Sequence, residues 1–150
     1  MNDMMTRNTA VALVRAELER AVEKWGTFKS LNEGLSVLYE EFDELWDEIR
    51  ANKGREFAAM AEVVQVGAMA LKCLGPKFDE RVNHKELLEI HSPHHAHGMM
   101  RVAMHDLFSN GPGSIGVVLL HVANLAISYL TAFFTEELGM EMLEGRRHRV

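Results

Sequence analysis

A set of oxygen-bearing side chains recurs on two predicted helices at the spacing of a divalent-cation site. They are Glu40, Glu41, Glu44, Glu62 and Gln65. Residues three or four apart share a helix face, so each helix can present its members together. Glu62 is the most informative, because its helix is otherwise apolar and a buried carboxylate is costly unless it is protonated, paired or bound to metal. Oxygen ligands suit Mg²⁺ or Mn²⁺, which also coordinate phosphates, so the pattern predicts nucleotide chemistry.

Helical periodicity predicts three helices in the first half of the chain. They run from Thr9 to Trp25, from Ser30 to a turn at 52–54, and from Arg55 to Leu74. Thr9 and Ser30 are suitable N-caps, and a glycine follows the first and the third helix. The short turn makes the third helix antiparallel to the second. The reversal brings Glu62 and Gln65 alongside the carboxylates of the second helix, as a shared metal site requires.

The second half carries weaker signals. We expect a helix over 79–90, a His-rich bend over 91–97, a helix over 99–108, a break at 110–113, and a long last helix from a Ser114 cap to about Gly139. That last helix is apolar enough to raise a membrane interpretation. Its polar residues form one narrow stripe, however, as in a helix packed on nearly all sides, so we predict no membrane span. The stripe is His121, Asn124, Ser128 and Thr131.

Composition narrows the class of protein. The 150 residues are 47% hydrophobic and 25% charged, which fits one globular domain over 1–150 with disorder expected at residues 1–8. A net charge of -6 argues against nucleic-acid binding. The single Cys73 and a polar N-terminus without a signal-peptide pattern predict the cytoplasm. The strongly apolar last helix predicts a homo-oligomer, a homodimer or homotetramer.

The spacing of the carboxylates resembles a known family. Glu-Glu-x-x-Glu, a spacer and Glu-x-x-Asp are the hallmark of the MazG-like all-α nucleotide pyrophosphohydrolases. Its four Glu positions are Glu40, Glu41, Glu44 and Glu62, whereas Gln65 stands at the Asp position and departs from the pattern. The tripeptide 24–26 and the run 62–70 are similar to the phage and actinobacterial branch of the family. The resemblance covers about Leu13 to Leu74.

The resemblance implies a four-helix-bundle MazG-like core over 9–75 and a helical extension over 76–150. Family members hydrolyse nucleoside triphosphates to the monophosphate and pyrophosphate, so it implies this Mg²⁺-dependent activity on a nucleoside or deoxynucleoside triphosphate. The implied catalytic residues are Glu40, Glu41, Glu44 and Glu62, and the implied metal ligands are Glu41, Glu44, Glu62 and Gln65. A Gln oxygen brings no negative charge, so weaker metal binding is expected. Glu40 or Glu48 would position the attacking water or hold a second ion.

Two further residues have competing interpretations. Lys72 lies on nearly the same predicted face as Gln65 and would reach a substrate phosphate, or else it extends its ammonium to solvent. Trp25 would stack on a base, although packing in the core or at the helix end is the commoner role of such a residue.

Two other functions stay open. The chain would be a non-catalytic binding or assembly protein if Gln65 marks a lost activity. It would be a His-liganded metalloprotein if His91, His94, His95 and His97 gather with His105 and His121 around a transition metal. Their spacing fits no standard zinc pattern, so an exposed polar loop is the favoured interpretation of the His cluster, with His121 as a hydrogen-bonded core histidine.

Overall fold

The computed structural model describes residues 3–75, 82, 85–109 and 112–147, and these parts are all-α, as the sequence predicts. The helices are α1 (Arg7–Trp25), α2 (Leu31–Asn52), α3 (Phe57–Leu74), α4 (Pro93–Ser109), α5 (Pro112–Phe133) and α6 (Glu136–Arg147). The ends of the first three agree closely with the sequence signals. Gly26 follows α1 with a φ of 75°, and the Ser30 hydroxyl accepts the Glu33 N–H at the start of α2.

The segment before α1 is ordered, so the prediction of disorder is wrong for residues 3–8. Met5 is 3% exposed, and its N–H donates to the carbonyl of Phe134 over 2.8 Å. Thr6 caps α1, not Thr9, and both hydroxyl side chains contact the Glu136 carboxylate. The partners of this segment, Phe134 and Glu136, lie near the other end of the sequence, so no local pattern indicates them. Residues 1 and 2 fall outside the described residues.

The central helix is α3, which packs most extensively against α5 and α2 and also against α1. The helices α1, α3 and α5 come close together at Gly67, where an added Cβ would lie 3.0 Å from Val14 of α1 and 3.2 Å from Ala126 of α5. A side chain there would require these neighbours to shift by a few tenths of an ångström, so glycine favours the close packing of the three helices. The α5 helix therefore supplies a large part of the environment of α3, and the carboxylate-bearing helices depend on the second half of the chain.

The helix expected over 79–90 is wrong for residues 85–90, which are not helical. This segment lies along the polar stripe of α5. Asn124 donates its side-chain N–H to the carbonyl of Glu86 over 2.8 Å, and the N–H of Leu88 donates to the Ser128 hydroxyl over 3.0 Å. The stripe thus satisfies main-chain groups of an extended peptide, which competes with helix formation there. Except for Val82, the rest of the expected helix lies outside the described residues.

Most of the His-rich segment, residues 93–97, forms the start of α4. Pro93 is its first residue, a position where the missing N–H costs nothing, and the Ser92 hydroxyl accepts the His95 N–H over 3.0 Å. The bend predicted over 91–97 is therefore wrong from residue 93 onwards. The exposed-loop interpretation is also wrong for His97, which is 1% exposed. Its ring stacks on aromatic side chains of α2, which a single sequence does not reveal.

The long last helix is divided in two. The α5 helix begins at Pro112, before the Ser114 cap that we expected, and ends at Phe133, before Gly139. The division occurs because Phe134 is buried and Thr135 pairs with Met4 in an isolated antiparallel bridge. The Thr135 hydroxyl then accepts the N–H of Leu138 and starts α6.

Two helices, Phe57–Leu74 and Ile115–Phe133, are long and apolar enough to cross a membrane by length and composition alone. Core helices meet the same criterion, and 56% and 61% of these two segments are buried within the fold. The two helices also pack on one another. The prediction of no membrane span stays a prediction.

The hydroxyl of Tyr129 closes the turn between α2 and α3. It donates to the buried carbonyl of Gly54 over 2.6 Å, and Gly54 has a φ of 76°. We expect Tyr129→Phe to lower the free energy of unfolding by about 1 to 2 kcal/mol, because the carbonyl loses its partner. Urea unfolding measures the change. Ser36→Ala, on the exposed face of α2, is the control and should change it by less than about 0.5 kcal/mol.

Acid should weaken the fold through His97. Burial lowers the pKa of His97 to about 4, so the folded protein holds its ring neutral, while the unfolded chain protonates it near the ordinary histidine pKa of 6.5. The stabilising contribution is present above that value and is lost as the pH falls towards about 4. Thermal unfolding of wild type and His97→Phe across this range tests the prediction. The variant should lose less stability on acidification, and equal slopes would contradict it.

Candidate metal centre

Three carboxylates from α2 and α3 converge as the sequence predicted. One oxygen of Glu41, one of Glu44 and one of Glu62 all lie within 4.8 Å of one another. Among the described residues, this is the group of His, Cys, Asp or Glu side chains whose geometry suits a metal ion. The antiparallel turn at Lys53 and Gly54 produces the convergence, because it returns α3 along the face of α2 that carries Glu41 and Glu44.

The packing of α2 explains how acidic residues come to border the core. Leu38, Leu45 and Ile49 are almost fully buried and fix the inner face of the helix. Glu41 lies next to this face and is half-buried, whereas Glu44 lies further round and is exposed. Glu62 is half-buried among the buried valines of α3. The cluster therefore joins one solvent-facing carboxylate to two that are partly withdrawn from water.

Burial and mutual repulsion give the cluster unusual protonation. Burial raises the pKa of Glu41 to about 8, and its hydrogen bond to Glu62 and the charge of Glu44 add to this rise. Burial also raises the pKa of Glu62 to about 7, although the hydrogen bond from Glu41 opposes the rise. Glu41 therefore keeps a proton at neutral pH and donates it to Glu62. Among the residues that the structure describes, the charges that act on the pair are all acidic, so none of them helps both groups to ionise.

One oxygen of the cluster shows that the residues fit a cation. Oε2 of Glu62 is buried and makes no hydrogen bond within the described structure. A buried oxygen acceptor of this kind is costly unless a donor or a cation meets it. The three carboxylates offer oxygen atoms alone, which is the ligand chemistry of Mg²⁺ or Mn²⁺. The donor set and the partnerless oxygen are thus both compatible with a divalent ion.

The other predicted site residues occupy different places. Gln65 is half-buried one turn after Glu62, on the same side of α3. Glu48 extends the acidic face of α2, and its charge contributes to the raised pKa of Glu62. Glu40 is exposed and lines a separate groove of α2 with Ser36, Tyr39 and Asp43. The structure thus brings Glu48 towards the cluster and places Glu40 on another face.

Lys72 and Trp25 lie near one end of α2, away from the carboxylates. The ammonium of Lys72 lies 4.2 Å from the centre of the Phe28 ring, in a cavity of about 290 Å³ that Ser30 and Cys73 also line. Ten residues of helix separate Lys72 from Glu62, roughly 15 Å at 1.5 Å per residue. Trp25 is 70% exposed, so the core-packing interpretation of this residue is wrong. Neither residue touches the cluster, and a role in binding substrate stays a prediction.

Another buried carboxylate, Glu17, has little local signal in the sequence. It is 1% exposed on α1, and both its oxygens accept from Nε of Arg20. The apolar spacing of α1 predicts a buried face through Val11, Val14, Leu18 and Val22, with Leu13 beside them. Leu13 and Val14 are buried, but Glu17 and Ala21 are buried in place of Leu18 and Val22. The arginine three residues after Glu17 is a local signal of its ion pair. Glu17 has this ion pair and is not part of the carboxylate cluster.

Comparison with known proteins adds no relative. No family model matches the sequence, no curated protein matches it, and no solved structure matches the fold.

The raised pKa values predict how pH and metal affect stability. Both lie above the 4.5 of an ordinary Glu, so the folded metal-free protein holds protons that the unfolded chain releases. The contribution of these two carboxyl groups to stability should fall as the pH rises from about 5 to about 8, which is opposite in sign to the contribution of His97 below about pH 6.5. Mn²⁺ should raise the unfolding temperature more at about pH 8 than at about pH 6, because the ion competes with these protons.

Glu62→Gln tests this prediction with Asp47→Asn as the control on another face of α2. The Gln variant should be more stable than wild type at about pH 8 without metal, by roughly 1 to 2 kcal/mol, since one repelling charge is gone. It should also lose the response to Mn²⁺. Thermal unfolding with and without MnCl₂ measures both effects. A Gln variant that still responds like Asp47→Asn would contradict the site.

Proposed function

We propose that this protein is a Mg²⁺-dependent nucleoside triphosphate pyrophosphohydrolase. The observation that carries the proposal is the convergence of Glu41, Glu44 and Glu62, with a buried Glu62 oxygen that has no hydrogen-bond partner. The resemblance of these residues to the MazG-like carboxylate pattern supplies the reaction type. The family membership, the four-helix-bundle core, the cytoplasmic location and the homo-oligomer belong to the same proposal.

The residues divide into two roles. Glu41, Glu44 and Glu62 would hold the cation, with Gln65 adding a neutral oxygen one turn along α3. When bound, the cation would offset the charge of the triphosphate and ease attack at phosphorus. Glu41 must release its proton to serve as a ligand, so occupation of the site is favoured at higher pH.

A further carboxylate is needed to orient the attacking water and take its proton. Glu48 suits this role better than Glu40, because it lies towards Glu62 on the acidic face of α2 while Glu40 lines a different groove. Asn52 donates a side-chain N–H to Glu48 over 3.2 Å and so limits its rotation. Water would attack phosphorus, the bond to pyrophosphate would break, and the water proton would pass to Glu48.

Pyrophosphate release tests the proposal directly. Wild type should release pyrophosphate from one or more members of a panel of nucleoside and deoxynucleoside triphosphates with Mg²⁺ or Mn²⁺. Glu41→Gln and Glu62→Gln should each lower kcat/KM by about 100-fold or more, since each removes a ligand charge worth several kcal/mol. Asp47→Asn should keep the wild-type rate.

The remaining outcomes separate the alternatives. Mn²⁺ binding without turnover of any substrate would favour a non-catalytic binding protein. Equal rates in wild type and both Gln variants would remove the cluster from the reaction. Glu48→Gln and Glu40→Gln can then be compared, and the larger loss of kcat identifies which of them acts on water.

A further inference from the structure

His97 is a buried titratable residue that the proposed reaction does not use. Its ring centre lies 4.0 Å from that of Phe42 and 4.9 Å from that of Trp46, and both pairs are stacked. Its Nε2 lies 3.2 Å from the carbonyl oxygen of Phe42. A carbonyl only accepts, so Nε2 carries the proton and donates it. His97 therefore holds the main chain of α2 at the residue that follows Glu41.

The α2 helix has few other connections on this side. The α4 helix packs mainly on α5 and meets α2 at few places. Apart from His97, the hydrogen bond described between these two helices is from the Tyr39 hydroxyl to the carbonyl of Met104, over 3.0 Å. His94 and Arg101 of α4 also contact the ring of Trp46. Two polar contacts to main-chain carbonyls and the ring contacts at Trp46 thus hold this face of α2 in place.

The opposite face of α2 carries a repulsive interaction. Glu41 and Glu44 face Glu62 of α3 within the 4.8 Å cluster, and three acidic side chains this close together favour separation of the two helices whenever more than one of them is ionised. A metal site requires the reverse, since its ligands must be held close before the ion arrives. A rigid contact directly behind the cluster would supply the opposing constraint, and the stack around His97 lies there.

We propose that His97 is a positioning residue for the metal centre. By donating to the Phe42 carbonyl and stacking on Phe42 and Trp46, it fixes the rotation of α2 and keeps Glu41 and Glu44 within reach of an ion shared with Glu62. The inference rests on the proposed function. It assigns a role to one member of the His-rich segment without making that segment a metal site.

Two variants separate the two contacts of His97. His97→Phe keeps a stacked ring and removes the donor, whereas His97→Gln keeps an N–H donor and removes the ring. The affinity for Mn²⁺ is measured by electron paramagnetic resonance of the free ion, well below the unfolding temperature. His97→Phe should bind Mn²⁺ about 3- to 10-fold more weakly, the loss of one buried hydrogen bond. His97→Gln should recover part of that loss.

Ser128→Ala is the matched control. It also removes a hydrogen bond between a buried side chain and the main chain, the one that the Ser128 hydroxyl accepts from the N–H of Leu88, and it touches neither the stack behind the cluster nor the turn between α2 and α3. It should lower stability and leave the Mn²⁺ affinity unchanged. Unchanged affinity in His97→Phe, or an equal loss in Ser128→Ala, would overturn the proposal, because either result would reduce His97 to an ordinary stabilising residue.

A metal-free measurement keeps the two proposals separate. Amide hydrogen exchange over residues 41–46 of α2 should be faster in His97→Phe than in Ser128→Ala at equal distance below their unfolding temperatures. No difference would overturn the positioning role. A wild type that binds no Mn²⁺ would instead remove the metal centre, and the exchange rates would still decide whether His97 holds α2.

Discussion

The withdrawal of Glu62 from water is the constraint on which the rest of the structure depends. The α3 helix carries this carboxylate in the middle of the fold while it packs against α1, α2 and α5. Burial penalises the charged form, and the nearby acidic groups of α2 add to the penalty, as the raised pKa of Glu62 shows. The surrounding helices must therefore supply enough apolar contact to offset a group that destabilises the fold. Glu62 therefore lowers the stability of the metal-free fold, and a cation that binds only the folded protein would raise it again.

The second half of the chain supplies much of this apolar contact. The α5 helix covers α3 with an almost continuous buried surface from Leu119 to Leu130, and Gly67 allows the two helix axes to come close. The start of α6 fastens the chain before α1 through Glu136, whose pKa is lowered by hydrogen bonds from Thr9 and Thr6. The first three helices thus carry the cluster, and the packing of α5 and α6 holds these helices in place. A carboxylate site of this kind needs such packing, since its own charges oppose the close approach of its helices.

Local chemistry decided which features the sequence could predict. The N-cap Ser30, the turn at Lys53 and Gly54, and the meeting of Glu41, Glu44 and Glu62 follow from spacing and from the preferences of single residues. The polar stripe of α5 was also visible, though not the peptide that occupies it. Residues whose partners lie far along the chain were missed. The side chain of Met5 lies beside Gly139 of α6, and that of His97 is buried by rings of α2, so neither residue has a local signal.

The way α5 holds residues 85–90 has a consequence for how the chain tolerates change. Asn124 donates to the carbonyl of Glu86, and Ser128 accepts from the N–H of Leu88. Both bonds involve main-chain groups of the segment and do not depend on its side chains. Leu87 and Glu89 point outwards and are exposed. Substitution at these two positions leaves the hydrogen bonds to α5 in place, whereas proline at position 88 would lose the bond to Ser128 because it lacks the N–H. The segment is thus held as a bound peptide is, by hydrogen bonds to its main chain.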